Sequence, residues 1–282
     1  MSKLYYKDKL ITNNLEYNKI GGGAGNIADG TRFANSTWST LPDGYAEYVL
    51  TQTNWRYFFA QCENLTSIDM SEWDTSKVTD MTYMFGYCRS LTGRCDISKW
   101  DMSNNVSMNF MLANTSFEEI NLPTTGYGKL ENCAGIFNNC AALTKVTGYE
   151  NIVGSTTNTV NGMFNGCRLL SGTVDCSNWA TNNVTNFSMV FYNCSNLTEI
   201  NISGWNFSKS QGHYSIFENC SNLKTIYMDN IIKPDDAPAY AFFRNSSSLE
   251  KIYMRGCSSD TIEWIRGELT ASRLNNVEVI TA

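Results

Sequence analysis

The chain has 282 residues, with 21 lysines and arginines against 27 aspartates and glutamates, for a formal net charge of -6. No Lys/Arg cluster occurs, which argues against a phosphate-backbone partner such as DNA or RNA, and the acidic balance disfavours anionic membranes. Hydrophobic residues make up 42% and only four prolines occur, so the chain can bury a large core and compositional disorder is not expected.

The N-terminus, Met1-Ser2-Lys3-Leu4-Tyr5-Tyr6-Lys7-Asp8-Lys9, has neither an apolar stretch of signal length nor a small-residue cleavage site, so a secretory signal is not expected. No run approaches the length of a membrane span. Leu4-Tyr5-Tyr6 and Leu10-Ile11 predict a short strand or hairpin separate from the rest of the chain. The run Gly21-Gly22-Gly23-Ala24-Gly25 lacks the lysine of a phosphate-binding loop and reads as a flexible joint. Residues 1–30 are therefore read as an anchor or linker, expected to contact a particle or a second copy of the chain.

Beyond this joint the chain repeats every 26 or 27 residues, a period that signals stacked repeats rather than separate globular domains. Cys62, Cys88, Asn114, Cys140, Cys167, Cys194, Cys220 and Ser246 form one column. Three residues before each stands Phe59, Phe85, Met111, Phe137, Phe164, Phe191, Phe217 or Phe243. Within one unit, Leu65 to Ser71 alternates around Ile68-Asp69-Met70 and predicts a half-buried strand with Asp69 outward. Ser71 to Ser76 is rich in turn formers, with Trp73 covering the corner, and Trp100, Trp179 and Trp205 recur in the same place. Met81, Met84, Phe85 and Cys88 fall at helical spacing, predicting one to two turns of helix capped by Thr79 or Asp80. Glycine-containing bulges are expected at Leu91–Cys95 and Leu170–Val174. Phe33-Ala34-Asn35-Ser36 echoes the unit once more, giving nine turns, the first degenerate. A strand, helix, strand crossover is right-handed, so the expected fold is a right-handed α/β solenoid whose parallel sheet is roughly 40 Å long.

Val78-Thr79-Asp80-Met81-Thr82-Tyr83-Met84-Phe85-Gly86-Tyr87-Cys88-Arg89-Ser90-Leu91-Thr92, preceded by Ser71-Glu72-Trp73-Asp74-Thr75-Ser76, resembles the BspA-like bacterial leucine-rich repeat. The likeness is to the variant whose units read S-x-W/F-D-T-S-x-V-T-x-M-x-x-M-F-x-x-C-x-x-L, and it covers residues 33 to 257. The resemblance implies a leucine-rich-repeat solenoid used for adhesion and protein binding, with no catalytic residues to carry over.

Ten cysteines invite metal, disulfide and core readings. Zinc requires clustered ligands, whereas this chain has no CxxC pair and a single histidine, His213. Neighbouring turns would bring column cysteines near disulfide distance, but Asn114 and Ser246 interrupt the column and cannot bridge, so a buried ladder of free thiols is the better reading. Asp69, Asp96 and Asp175 could serve as acid–base groups or calcium ligands, against the plainer reading of a solvated polar face. Neither a cofactor nor catalysis is expected. Asn-x-Ser/Thr triplets, as at Asn64, Asn183 and Asn193, follow from Asn-rich turns and are expected to stay unmodified.

The outward column of the predicted sheet is Asp69, Asp96, Asn121, Thr147, Asp175, Asn201, Tyr227 and Tyr253, acidic at one end and aromatic at the other. Tyr227 and Tyr253, with Lys224, Lys251 and Arg255 beside them, suit recognition of a protein or glycan, although cross-strand tyrosine pairing alone would also account for them. Residues 258–282 predict a helix and a final strand that cap the 31–257 array. The expected function is a non-enzymatic binding module of a virion, such as a phage head fibre, decoration or tail-associated protein, or alternatively a bacterial surface adhesin or lipoprotein fragment.

Overall fold

The computed structural model describes residues 50–236, 240 and 242–282, the pair 39–40, and two strands near the N-terminus. The glycine joint at 21–25 and the echo at Phe33 to Ser36 lie outside the described residues. Strands β1 (Leu4–Tyr6) and β2 (Lys9–Ile11) pair antiparallel, Tyr5 opposite Leu10.

The rest is an α/β chain with parallel sheets and few helices, compatible with a repeat solenoid. Strands β3 (Thr92–Asp96), β4 (Ser116–Asn121) and β5 (Lys145–Thr147) form one parallel sheet. A second contains β6 (Gly172–Asp175), β7 (Leu197–Asn201), β8 (Thr225–Tyr227), β9 (Lys251–Tyr253) and β10 (Glu278–Ile280), in that spatial order. Each strand alternates, so a single inward residue defines a core column. Cys95, Ile120 and Val146 pair in register in the first sheet, and Val174, Ile200, Ile226 and Ile252 in the second. The register slips at Gly93/Arg94 and at Gly172/Thr173, where glycines at φ 75° and 80° supply the left-handed conformation of a bulge.

The two sheets are interrupted between β5 and β6. Gly148 holds φ 83°, and a Cβ there would sit 2.3 Å from the Leu122 carbonyl oxygen. The chain then winds into a 3-10 turn at Tyr149–Asn151. The Tyr149 hydroxyl accepts the Asp175 backbone N–H at 3.0 Å, so a side chain fills the role that a strand carbonyl plays elsewhere.

Leu65 to Ser71, expected as a strand, is extended without a ladder. Its one backbone bond to another repeat among the described residues is Thr66 N–H to Ser39 O, 2.8 Å, and a strand requires its N–H and C=O groups to be paired along its length.

The expected helix at Met81 to Cys88 is a run of overlapping β-turns instead. Met84, Gly86 and Cys88 donate to the carbonyls three residues back, while Met81, Tyr83, Phe85 and Tyr87 donate to Ser107, Asn109, Met111 and Ala113 of the next repeat at 2.7–2.9 Å. A helix would direct its N–H groups to carbonyls four residues back, whereas here alternate N–H groups form a rail between repeats. Two left-handed residues per repeat, four apart, bend the chain to permit this. Examples are Tyr83 and Tyr87, Gly135 and Asn139, and Gly162 and Gly166. Asn or Gly occupies the second of these positions in most repeats, as the conformation favours.

The ladder needs one register correction. Thr115, not Asn114, is its third member, because Thr115 N donates to Leu112 O as Cys62 N does to Phe59 O. Asn114 sits at φ 58° in the left-handed column, and Leu112 rather than Met111 stands in the phenylalanine column. The ring stack accordingly runs Phe59–Phe85, breaks at Leu112, and resumes as Phe137–Phe164–Phe191–Phe217–Phe243, with centroids 5.2–5.7 Å apart. Burying each such side chain contributes about 1.5–3 kcal/mol. Each ladder thiol from Cys140 to Cys220 donates to a carbonyl of the preceding repeat, as in Cys194 Sγ to Phe164 O at 3.0 Å, and the Ser246 hydroxyl repeats the bond to Phe217 O at 2.6 Å. Cys88 does the same to Phe59 O. At the corners the indoles of Trp100, Trp179 and Trp205 donate backward to Met70, Tyr149 and Cys176 carbonyls. These bonds pair the polar groups of the ladder and of those corners within an otherwise apolar core.

Helix α1 (Ser259–Ala271) is capped by Ser258, whose side chain accepts from Thr261 N. It closes the last repeat through Glu268. This fully buried carboxylate accepts the Tyr240 N–H at 2.9 and 3.0 Å and the Phe242 N–H at 3.1 Å, while the Ser272 hydroxyl accepts from Phe243 N. Side-chain oxygens therefore replace the carbonyls of a further repeat. No helix of the described residues is long and apolar enough to cross a membrane.

Candidate functional site

The outer face of the second sheet carries two columns. One pairs Thr173, Glu199, Thr225, Lys251 and Glu278, and the other pairs Asp175, Asn201, Tyr227, Tyr253 and Ile280. Tyr227 and Tyr253 stand directly opposite each other, with rings stacked at 4.9 Å and 11°. The Arg255 guanidinium lies over the Tyr253 ring, 5.3 Å from its centroid.

Asp229 pins that arginine. Its Oδ2 accepts from Arg255 Nη2 at 2.6 Å and Nε at 3.0 Å, and its Oδ1 accepts the Arg255 backbone N–H at 2.7 Å. The guanidinium is held charged by that bond, its pKa raised above the ordinary value. Burial pushes the Tyr227 phenol up, and neighbouring Glu199 adds to the effect. The result is a pre-ordered aromatic and cationic patch, which loses little side-chain freedom when a partner arrives. Lys224 and Lys251 are exposed and form no ion pair within the described residues.

The acidic residues do not join this patch. Asp96 lies on β3, in the other sheet, where it pairs with Arg94 at 2.8 Å. Asp175 is two strands from Tyr227, about 10 Å at ordinary strand spacing. Asp69 lies on the extended segment before either sheet. All three accept the backbone N–H two residues on, from Ser71, Ser98 and Ser177, and Asn201 does the same for Ser203. These are Asx turns, which an amide serves as well as a carboxylate. The bonds from Ser71 to Asp69 and from Ser98 to Asp96 hold both carboxyls below the usual carboxylate range.

Residues 53–171 and 131–251 each match the family described as "Mycoplasma protein of unknown function, DUF285", and together they span well over half of the chain. The chain belongs to this family. No curated protein matches it. The DUF285 matches overlap within a single array, as a repeating sequence allows, and the second ends at Lys251, where the aromatic patch begins its last strand. The patch therefore sits at the boundary between the DUF285 repeats and the cap.

Sequence reasoning missed Asp229 and the stacked ladder Tyr57–Tyr83–Phe110, with centroids at 5.3 and 5.0 Å. Tyr57, Tyr83 and Phe110 sit at φ 52–58°, a conformation rare for bulky side chains. The alignment of these positions 26 or 27 residues apart was the available signal. Their ring faces are taken up by one another, which makes them part of the rail side of the repeats.

Proposed function

We propose that the chain is a non-enzymatic recognition module, a right-handed, nine-turn leucine-rich-repeat solenoid of the BspA-like type that presents its C-terminal sheet face to a protein or glycan. The observation that carries this reading is the pre-ordered Tyr227–Tyr253–Arg255 patch on an exposed sheet face, fixed by Asp229. Supporting it, Asp69, Asp96 and Asp175 serve as acceptors of turn N–H groups, and the thiols of Cys88, Cys140, Cys167, Cys194 and Cys220 donate to backbone carbonyls, so these repeated residues read as architecture.

Display on a virion, as a phage head fibre, decoration or tail-associated protein, with residues 1–30 meeting a particle or another copy, is the setting we favour. A bacterial cell surface, as an adhesin or lipoprotein fragment, is the second reading. Neighbouring genes separate the two: capsid or tail genes place the chain on a virion, and a transport locus places it on a cell.

The binding reading is tested by titrating labelled chain onto panels of bacterial and animal cells, before and after protease or periodate treatment. Tyr227→Ser/Tyr253→Ser should weaken binding by roughly 30-fold or more, the scale of aromatic hot spots, while the repeats stay folded with only the loss of the ring stack, about 0.5–1.5 kcal/mol. Equal binding by the variant overturns the assignment of the patch, and protease or periodate sensitivity tells protein from glycan.

A further inference from the structure

His213 is the only histidine of the chain, and it stands in a core column. Cys133 N, Val160 N and Phe187 N each donate to the residue just before the next member of that column, Phe187 N to Gly212 O at 2.6 Å, which places His213 where Phe187 and Val160 stand in earlier repeats. It is 3% exposed. Its ring packs against Tyr240 at 5.0 Å, Phe242 at 6.0 Å and Trp264 of α1 at 6.1 Å, edge to face in each case.

The contacts of Ser210 favour one tautomer. Ser210 gives its single hydroxyl proton to Gly212 O at 3.1 Å, so its oxygen accepts from His213 Nδ1 at 3.1 Å. In that tautomer Nδ1 carries the imidazole proton and Nε2 keeps a bare lone pair. Among the described residues that Nε2 is buried without a partner, and so is the neighbouring Trp264 indole N–H. A proton arriving at Nε2 would create a cation with no acceptor, enclosed by three aromatic rings.

These rings belong to the clasp that closes the array. The backbone N–H groups of Tyr240 and Phe242 are the ones held by Glu268, and Trp264 lies one turn before Glu268 on α1. Among the described residues, the ionisable groups near His213 are Asp236, in the segment before Tyr240, and the Tyr240 phenol, while Glu268, one turn beyond Trp264 on α1, accepts the N–H groups of Tyr240 and Phe242. We propose that His213 makes the C-terminal cap a pH-sensitive clasp: protonation at Nε2 loosens α1 and β10 from the last repeat, and the free edge of β9 is uncovered.

The direction follows from linkage. Burial lowers the His213 pKa below its ordinary value of 6.5, against the opposing pull of Asp236. The unfolded or opened form then binds the proton more readily, so the contribution to stability is full above about pH 6.5 and is lost as pH falls through the lowered value.

Hydrogen exchange of the full chain at pH 7.5 and pH 5.0, expressed as protection factors, tests this. The proposal expects amides of α1 and β10 to lose protection at pH 5.0 while those of the repeats before residue 200 keep theirs. In His213→Phe, which restores the residue type of Phe187, the cap should be equally protected at both pH values, and His213→Val, after Val160, serves if the larger ring is not accommodated. Equal cap protection in the wild-type chain at both pH values, or the same loss in the folded variants, overturns the clasp. So does a titration of the single imidazole, read by NMR, with a midpoint at or above 6.5.

Discussion

Asn105 offers the sharpest test of the packing. Its backbone N donates to Met102 O at 3.0 Å, as Val78 N donates to Thr75 O and Leu130 N to Tyr127 O in the flanking repeats. Asn105 therefore occupies a core position that is apolar on both sides. The residue is fully buried, and neither its Oδ1 nor its Nδ2 has a partner among the described residues. An orphaned buried polar group costs about 1–3 kcal/mol, and valine carries one side-chain heavy atom fewer, so overpacking does not offset the gain. Asn105→Val should stabilise the chain by about 1–3 kcal/mol, raising Tm by about 2–4 °C for each kcal/mol at this size. Denaturant and thermal unfolding of the two proteins measure it. A valine variant equal to or less stable than the wild type would show that the amide has a partner in solution and would refute the reasoning.

Other consequences follow from the same geometry. Glu268→Leu should destabilise by about 2–5 kcal/mol, because it leaves the buried N–H of Phe242 and the part-buried N–H of Tyr240 unpaired; urea unfolding reads the loss. Gly148→Ala should cost at least about 2 kcal/mol, since φ 83° and a 2.3 Å approach to the Leu122 backbone leave no room for a Cβ, and a thermal melt decides it. Burial raises the ladder thiols, Cys140 to about 11 and Cys220 to about 12. The unfolded chain gives up those protons first, so stability should fall as pH climbs past 9, the ordinary value, toward 11 and 12. At pH 8, alkylation followed by mass spectrometry should label half-buried Cys257 well ahead of the other nine cysteines, all buried; fast labelling of the ladder would contradict the buried-thiol assignment.

The repeat period, the bulges at Gly93 and Gly172 and the strand columns were legible because each depends on local alternation or on glycine. The pairing of Tyr227 with Tyr253 follows from the same alternation. Helix and turn run were not distinguishable by apolar spacing, because Met81, Met84, Phe85 and Cys88 face inward in either case. The discriminating signal lay in the small and amide residues four apart, as in Gly135 and Asn139 or Gly162 and Gly166, which mark left-handed bends. A fixed count of 26 put Asn114 in the ladder, whereas that repeat is one residue longer and its hydroxyl-bearing Thr115 makes the turn. Asp229, Glu268 and His213 were opaque for a different reason: each takes its role from a partner 26 or more residues away, and nothing in its own neighbourhood marks it.

If the repeating residues are architecture and recognition belongs to the tyrosine end of the sheet, the two roles should separate by mutation. Binding and unfolding measured side by side on Cys167→Ala and on Tyr227→Ser/Tyr253→Ser test that division most directly. The expected result is a cysteine variant that is less stable by about 1 kcal/mol and binds as the wild type does, and a tyrosine variant that retains its fold and loses binding. Binding lost through Cys167→Ala in a folded chain, or kept by the double tyrosine variant, would contradict it.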